Sequence, residues 1–440
     1  MTVREINGRF GAWALGAAAA VTLMASALVY TVHAQGLPAC DPGNGGITLP
    51  AGFCALVVAD NLGAARHMAV AANGDLYVAL MTSGGRGQPQ TGGGAVALRD
   101  ANKDGKFEVV ERFGSGSTTG IALRNGYVYL AHPQIIERYK LTDGTLKPTG
   151  AAETIVTGLP NERQHEDKGI AFDGRGGLYI NVGAPSNACQ DPDRRPGVKG
   201  VDPCPILEKH AGIWKFDENK LNQTQEQGTR FATGMRQMPA ITWHDDALYI
   251  AMNNRDQLDV FWPSLFTPKD NAERPAEPLY RAVQGSNFGW PYCYYDYTTK
   301  MMTLNPEYGG DGKTVGRCST FTPPAAAFPA HWAPVDVKFY TGSQFPAKYR
   351  NGAFIAFHGS WNRSPEPQAG YNVTFQPFAA SKPAGAFEVF AQGFTGKETL
   401  LNPGDALYRP DGVAQAPDGS LYIGDSQKGR VWRVVYTGAR

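Results

Sequence analysis

The sequence predicts an all-β fold, a six-bladed β-propeller of four-stranded blades, on three observations. Glycine (53) and proline (31) are abundant and charged residues make up only 18%, a composition of many tight turns joining short segments. A turn followed by a hydrophobic-aromatic-hydrophobic run recurs six times along the chain. Long amphipathic helical periods are missing, which argues against a doubly wound parallel fold.

The repeat units justify the blades in order. They are Asn73-Gly74-Asp75-Leu76-Tyr77-Val78, Asn125-Gly126-Tyr127-Val128-Tyr129-Leu130, Gly176-Gly177-Leu178-Tyr179-Ile180, Asp246-Ala247-Leu248-Tyr249-Ile250, Asn351-Gly352-Ala353-Phe354-Ile355 and Asp418-Gly419-Ser420-Leu421-Tyr422-Ile423. Asn, Asp and Gly supply the positive φ of a hairpin, and the alternation that follows fits a strand buried on both faces between neighbouring sheets. A spacing of roughly 50 to 100 residues is that of four-stranded blades with unequal insertions. A pair of β-sandwiches is the alternative, but independent domains have little reason to reuse one turn-strand unit. The longest insertion, near 263–334, is rich in Pro, Tyr and Gly and reads as an ordered excursion over one face of the disc.

Residues 1–34 stand apart from the propeller expected over 35–440. Arg4 and Arg9 precede an uncharged apolar stretch from Gly11 to Val32, and Val32-His33-Ala34 ends it with small residues at signal-peptidase spacing. The segment reads as a signal peptide or, uncleaved, as a membrane anchor, so membrane contact is expected only if it is retained. Either way the remainder is exported, to the periplasm or beyond. The six cysteines fall as three local pairs, Cys40 with Cys54, Cys189 with Cys204 and Cys293 with Cys318, read as disulfides of an oxidising compartment. The formal net charge of +1 gives no field for a polyanion, which makes nucleic acid an unlikely partner on charge grounds alone.

In a propeller the chemistry sits where loops of several blades meet on the axis. Five such stretches stand beside repeat strands: Arg163-Gln164-His165-Glu166-Asp167, Gly234-Met235-Arg236-Gln237-Met238-Pro239, Asn253-Asn254-Arg255-Asp256, His358-Gly359-Ser360-Trp361-Asn362-Arg363 and Arg409-Pro410-Asp411-Gly412-Val413. They combine an imidazole with several guanidiniums, which suits a planar polyanionic ligand and a proton acceptor. No C-x-x-C-H occurs, so covalent c-type haem is excluded and any electrons must leave to a separate acceptor, a cytochrome or a quinone.

These stretches, with Gly285-Ser286-Asn287-Phe288-Gly289-Trp290-Pro291, resemble the sorbosone dehydrogenase branch of soluble quinoprotein sugar dehydrogenases, from about Leu49 to Val435. The resemblance implies a six-bladed propeller carrying pyrroloquinoline quinone (PQQ) and calcium on its axis, oxidising a sugar or sugar-derived aldehyde by hydride transfer to the quinone. His165 aligns with the histidine that takes the hydroxyl proton, a role suited to an imidazole of ordinary pKa near 6.5. Arg236 aligns with the arginine beside the quinone oxygen, and Gln237 stands where relatives carry Asn. Arg409 matches one of two arginines that bind the PQQ carboxylates, while Asp411 occupies the place of the other. Asn362 replaces a lysine of the glucose-oxidising relatives, so Arg363 beside it is expected to share carboxylate binding with Arg409. Where those relatives have an aspartate that orients the histidine, Val182-Gly183-Ala184-Pro185 has alanine; Asn187, Glu166 and Asp167 are the candidate substitutes. Trp361 and Trp290 are candidates for stacking on sugar or cofactor.

Calcium in this family is held mainly by backbone carbonyls, which the alignment places near Asn254 and Arg255. A second calcium candidate needs no family. Asp100-Ala101-Asn102-Lys103-Asp104-Gly105, with Glu111 beyond, has EF-hand ligand spacing, but its flanks read as strands, so it is a hairpin loop suited to a structural ion through Asp100, Asn102 and Asp104. Two other functions share the fold. A calcium-dependent lactonase or esterase needs carboxylates and asparagines free on the axis, and a non-catalytic propeller that binds glycans or proteins needs neither acids nor cations there.

Overall fold

Each turn-strand unit forms the second strand of its own blade: Leu76–Ser83, Tyr127–Ala131, Gly177–Val182, Ala247–Asn253, Gly352–Phe357 and Leu421–Asp425. The computed structural model describes residues 37–83, 91–161 and 164–438; the leader expected over 1–34 lies outside them, as does Arg163. Six sheets follow one another as the blades of a propeller, most of four antiparallel strands, with short added strands on several edges.

The period-2 pattern of the units has a direct structural use. In each, the aromatic faces the next blade while its aliphatic neighbours face the previous one. Tyr77 lies in the layer shared with the second blade, and Leu76 and Val78 lie in the layer shared with the sixth. Tyr129, Tyr179, Tyr249, Phe354 and Tyr422 repeat this placement around the ring. The core is therefore six apolar layers, one in each gap between blades.

The inner strands Ala64–Val70, Gly120–Arg124, Ile170–Phe172, Gln237–His244, Pro334–Phe339 and Pro410–Gln415 pack each against the next until the ring closes. The sixth blade takes its outer strand, Phe53–Ala59, from the start of the described chain, paired antiparallel with Val431–Tyr436. Between the fourth blade's strands Glu277–Ala282 and Ala326–Phe328 the chain makes an excursion. There it adds Ser286–Asn287 beside Thr229–Thr233 of the third blade, then forms the hairpin Cys293–Asp296 with Met301–Leu304.

The disulfides join Cys40 to Cys54, Cys189 to Cys204 and Cys293 to Cys318, the three local pairs. Three disulfides suggest an extracellular or periplasmic protein. No helix among the described residues is long and apolar enough to cross a membrane.

The start of each inner strand pairs with the end of the second strand, as in Gln237 with Asn253 and Pro410 with Asp425. Loops entering inner strands and loops leaving second strands therefore open on one face. Beneath that face an axial channel of roughly 370 Å³ is lined by all six inner strands, with His67 and Asp336 among its walls.

Candidate active site

His165 lies in the loop that enters Ile170–Phe172, with left-handed backbone (φ 60°). Its Nδ1 is 2.5 Å from the carbonyl oxygen of Ala184, just past the second strand of the same blade. A carbonyl only accepts, so Nδ1 carries the hydrogen and Nε2 keeps the lone pair. Ala184 is itself fixed, because its N–H donates to the Arg236 carbonyl at 2.8 Å. Gly183 allows the approach: a Cβ there would lie 2.3 Å from the His165 carbonyl oxygen and 2.8 Å from its Cβ. The orienting group is thus a backbone oxygen, which the alanine supplies as well as any residue. Burial, then the Arg236 charge, push the His165 imidazole down to about 3, so it is neutral at any ordinary pH.

Arg236 enters the hub immediately before Gln237–His244 and is 3% exposed. Its Nη1 donates to the Asn254 carbonyl at 2.9 Å and its Nη2 to Asp256 Oδ2 at 2.5 Å. Asp256 also accepts from Arg194 Nη2 at 3.1 Å and from Asn362 Nδ2 at 2.9 Å. Although burial works the other way, the Arg236 and Arg194 charges hold the Asp256 carboxyl well below the usual range. Two buried atoms of this cluster have no hydrogen-bond partner among the described residues, Arg236 Nε and Gln237 Oε1. Gln237 Nε2 reaches Asp167 Oδ2 at 3.4 Å. Below the cluster Glu277 accepts the Asn254 N–H at 2.8 Å, and burial raises its carboxyl to about 8.

Arg409 stands on the sixth-blade side of the hub. Its Nε and Nη2 donate to the carbonyls of His358 and Gly359 at 3.0 and 2.7 Å, and its guanidinium lies 5.2 Å from the centre of the Tyr371 ring. Asp411 is buried beside it, with Arg66 Nη1 at 3.0 Å and His358 Nε2 at 3.9 Å from Oδ2. Burial raises Asp411 to about 6 and pushes His358 well below an ordinary imidazole.

The remaining sequence candidates lie farther from this arrangement or meet it by one edge. Asn362 joins through Asp256. Arg363 turns to backbone carbonyls, donating to Ala272, to Ala330 and, at 3.0 Å, to Pro367. The Arg255 side chain is fully buried against Glu307 Oε2 at 2.5 Å and Asn305 Oδ1 at 3.1 Å, inside the excursion. The Asn254 carbonyl already accepts from Arg236. Trp290 is 1% exposed and donates to the Asn187 carbonyl at 3.0 Å, a packing residue, whereas Trp361 is 52% exposed. The Asp100–Gly105 loop joins Ala95–Arg99 to Val109–Phe113, and carboxylate oxygens of Asp100, Asp104 and Glu108 lie within 4.8 Å of one another. Asn102 Oδ1 accepts the Asp104 N–H at 2.8 Å, and Glu111 pairs with Ala97 in the strand.

Sequence reasoning missed the partners. Asp256 ends one of the quoted stretches but shows no sign of its pairing with Arg236. Arg194 lies within the Cys189–Cys204 loop, and Ala184 acts through an atom every residue has. Glu108 carries the same acidic signal as the Asp100 loop and was within reach.

The TrAA12-like family profile matches residues 47–437. An uncharacterized protein of Borreliella burgdorferi is 26% identical over 278 residues, 63% of this chain and 62% of that protein. A pyrroloquinoline quinone-dependent pyranose dehydrogenase of Coprinopsis cinerea is 30% identical over 189 residues, 37% of this chain, which spans 25% of that protein's length. A pyrroloquinoline quinone-dependent sugar dehydrogenase of Hypocrea jecorina is 23% identical over 339 residues, 71% of this chain and 72% of that protein. Among solved structures, the holo form of the PQQ domain of the Coprinopsis cinerea pyranose dehydrogenase superposes with a TM-score of 0.67 at 19% identity, over 88% of this chain and 97% of that one. The calcium structure of a Trichoderma reesei family AA12 enzyme gives 0.71 at 18% identity, over 89% and 97%. These superpositions are likenesses of fold. The match over nearly all of the described residues makes this chain a member of the TrAA12-like family.

Proposed function

We propose that this protein is a PQQ- and calcium-dependent dehydrogenase of a sugar or sugar-derived aldehyde, of the sorbosone or aldose type, with His165 as general base. One observation carries the reading: a neutral imidazole whose Nε2 has no partner among the described residues adjoins a buried guanidinium and amide that each hold such an atom, Arg236 Nε and Gln237 Oε1. A flat, oxygen-rich anion fits such a place, and the PQQ dependence named for the Coprinopsis and Hypocrea relatives supports the choice.

PQQ, when bound, supplies an electrophilic quinone carbon able to accept a hydride from the substrate carbon. The chain does the rest. His165 Nε2 takes the hydroxyl proton, with Ala184 fixing the ring through Nδ1. Arg236 presents a fixed positive charge where negative charge develops, and Asp256 holds that guanidinium in one orientation. Gln237 Oε1 is free to accept from the ligand. Arg409 holds carboxylate on the opposite side of the hub, with Asn362 and Arg363 bracing the neighbouring loop. Trp361 offers an exposed aromatic face to the sugar.

Calcium on the axis would use the carbonyls of Asn254 and Arg255, the first shared with Arg236. The Asp100–Asp104 loop, with Asn102 and Glu108, is the candidate structural site. Residues 1–34 are proposed to export or anchor the protein, and reducing equivalents pass to a separate cytochrome or quinone. Against a lactonase or esterase stand Asp256 and Asp411, both committed to arginines rather than free for a metal. Reconstitution of the purified protein with PQQ and calcium, followed by a sugar and aldehyde panel with an artificial acceptor, tests the reading. Dye reduction by aldoses or aldosuloses is expected; no absorbance change on adding PQQ and no oxidation would overturn it.

A further inference from the structure

Asp411 places a carboxylate where the family pattern has a cation, yet the hub keeps a guanidinium at that spot from elsewhere. Arg66 lies on the inner strand of the first blade, 345 residues away in sequence, and its Nη1 donates to Asp411 Oδ2 at 3.0 Å. The adjoining strands are unusually close there. A Cβ on Gly412 would fall 2.5 Å from the Arg66 carbonyl oxygen, so only glycine lets the two backbones meet at this level.

The Arg66 guanidinium is anchored through Nε and Nη1, which leaves its Nη2 end open. Nε donates to the Met81 sulfur, a weak acceptor, and Nη1 to Asp411 and, at 3.5 Å, to the Ala65 carbonyl. Nη2 has no acceptor among the described residues. The Arg66 side chain is 19% exposed while Asp411 is 4% exposed, so the pair presents its cation and hides its anion. Asp411 Oδ1 is buried without a hydrogen-bond partner among the described residues. Arg409 is anchored along its Nε–Nη2 edge by two carbonyls, and the neighbouring His358 is neutral. The arrangement is two guanidiniums, each held at two nitrogens with a third left over, around one hidden carboxylate.

We infer that Arg66 is the second cation that receives a ligand carboxylate at the hub, delivered from the first blade in place of the arginine that Asp411 displaces. This rests on the PQQ reading above. Asp411 acts as a positioning residue, orienting Arg66 while cancelling part of its charge, so a polycarboxylate is held less tightly than by two unopposed arginines.

Equilibrium titration of the full-length protein with PQQ and with its trimethyl ester, followed by tryptophan fluorescence, tests this. The wild type is expected to prefer the triacid. Arg66→Ala should weaken PQQ binding by about tenfold or more and leave ester affinity unchanged, with Arg66→Lys between. Asp411→Asn, which keeps an acceptor for Arg66 and removes the charge, should bind PQQ at least as tightly as wild type. Circular dichroism and a melting curve establish that each variant is folded, and Arg66→Lys stands in if Arg66→Ala is not. Unchanged PQQ affinity in Arg66→Ala, or a loss in Asp411→Asn as large as in Arg66→Ala, would overturn the assignment alone. No PQQ binding by the wild type would overturn the cofactor reading and the assignment with it.

Discussion

The chemistry of His165 follows from one hydrogen bond and one neighbour. Burial and the Arg236 charge depress the His165 pKa, and they outweigh the Ala184 carbonyl on Nδ1–H and the Asp256 charge, both of which favour the imidazolium. In the protein without ligand, His165 is expected to show no titration between pH 5 and 8 by NMR of the labelled ring; a midpoint near 6.5 would contradict the packing described. The sign for stability follows. With its folded pKa depressed, the His165 contribution is fully present above about 6.5 and is lost as pH falls toward 3. His165→Ala is expected to retain PQQ while turnover of the reconstituted protein falls at least about a hundredfold, the usual scale for a general base. Turnover equal to wild type would remove His165 from the mechanism.

At the scale of elements, the hub is held by short covalent and polar braces on its loops. The Cys189–Cys204 disulfide closes the loop that carries Arg194, and Arg194 touches Asp256, Gln164 and Gln257 at 3.1, 3.2 and 2.9 Å. Replacing both cysteines by serine is expected to cost about 3 kcal/mol, read by chemical denaturation under non-reducing conditions. Turnover should fall as well, because Asp256 loses one of its two guanidiniums. For the Asp100–Gly105 loop, calcium is expected to raise the melting temperature by a few degrees and Asp104→Asn to abolish the rise; an equal rise in both would exclude the loop as the site. Which loops reach the hub was legible in the sequence, because each flanks a recognisable strand. How their side chains divide was not. The sequence puts Arg363 and Arg409 on the same footing, and only the packing of Ala272 and Ala330 beside Arg363 turns that guanidinium onto backbone carbonyls.

At the scale of the molecule, six blades were legible because the second strand of each, buried on both sides, admits only alternating apolar residues after a tight turn. Contacts that close the ring left no such mark. Arg66 and Asp411 have no local pattern linking them, and the Phe53–Ala59 strand lacks the repeat signature because it completes the last blade as an outer edge. Phe53 meets Phe345, Tyr349 and Phe390 edge-on with ring centres 4.8, 5.1 and 5.0 Å away, so this strand also seals the layer between the fifth and sixth blades. Phe53→Ala is expected to lower stability by about 3–5 kcal/mol in a denaturant titration, as for other large buried aromatics.

That pairing of residues near 55 with residues near 433 also sets an order in time. A ribosome makes the first partner almost 380 residues before the second, so the early strand must wait with its apolar side uncovered until synthesis is nearly finished. The Cys40–Cys54 crosslink, which needs no distant residue, is in reach throughout that wait and ties the strand's second residue to the segment before it.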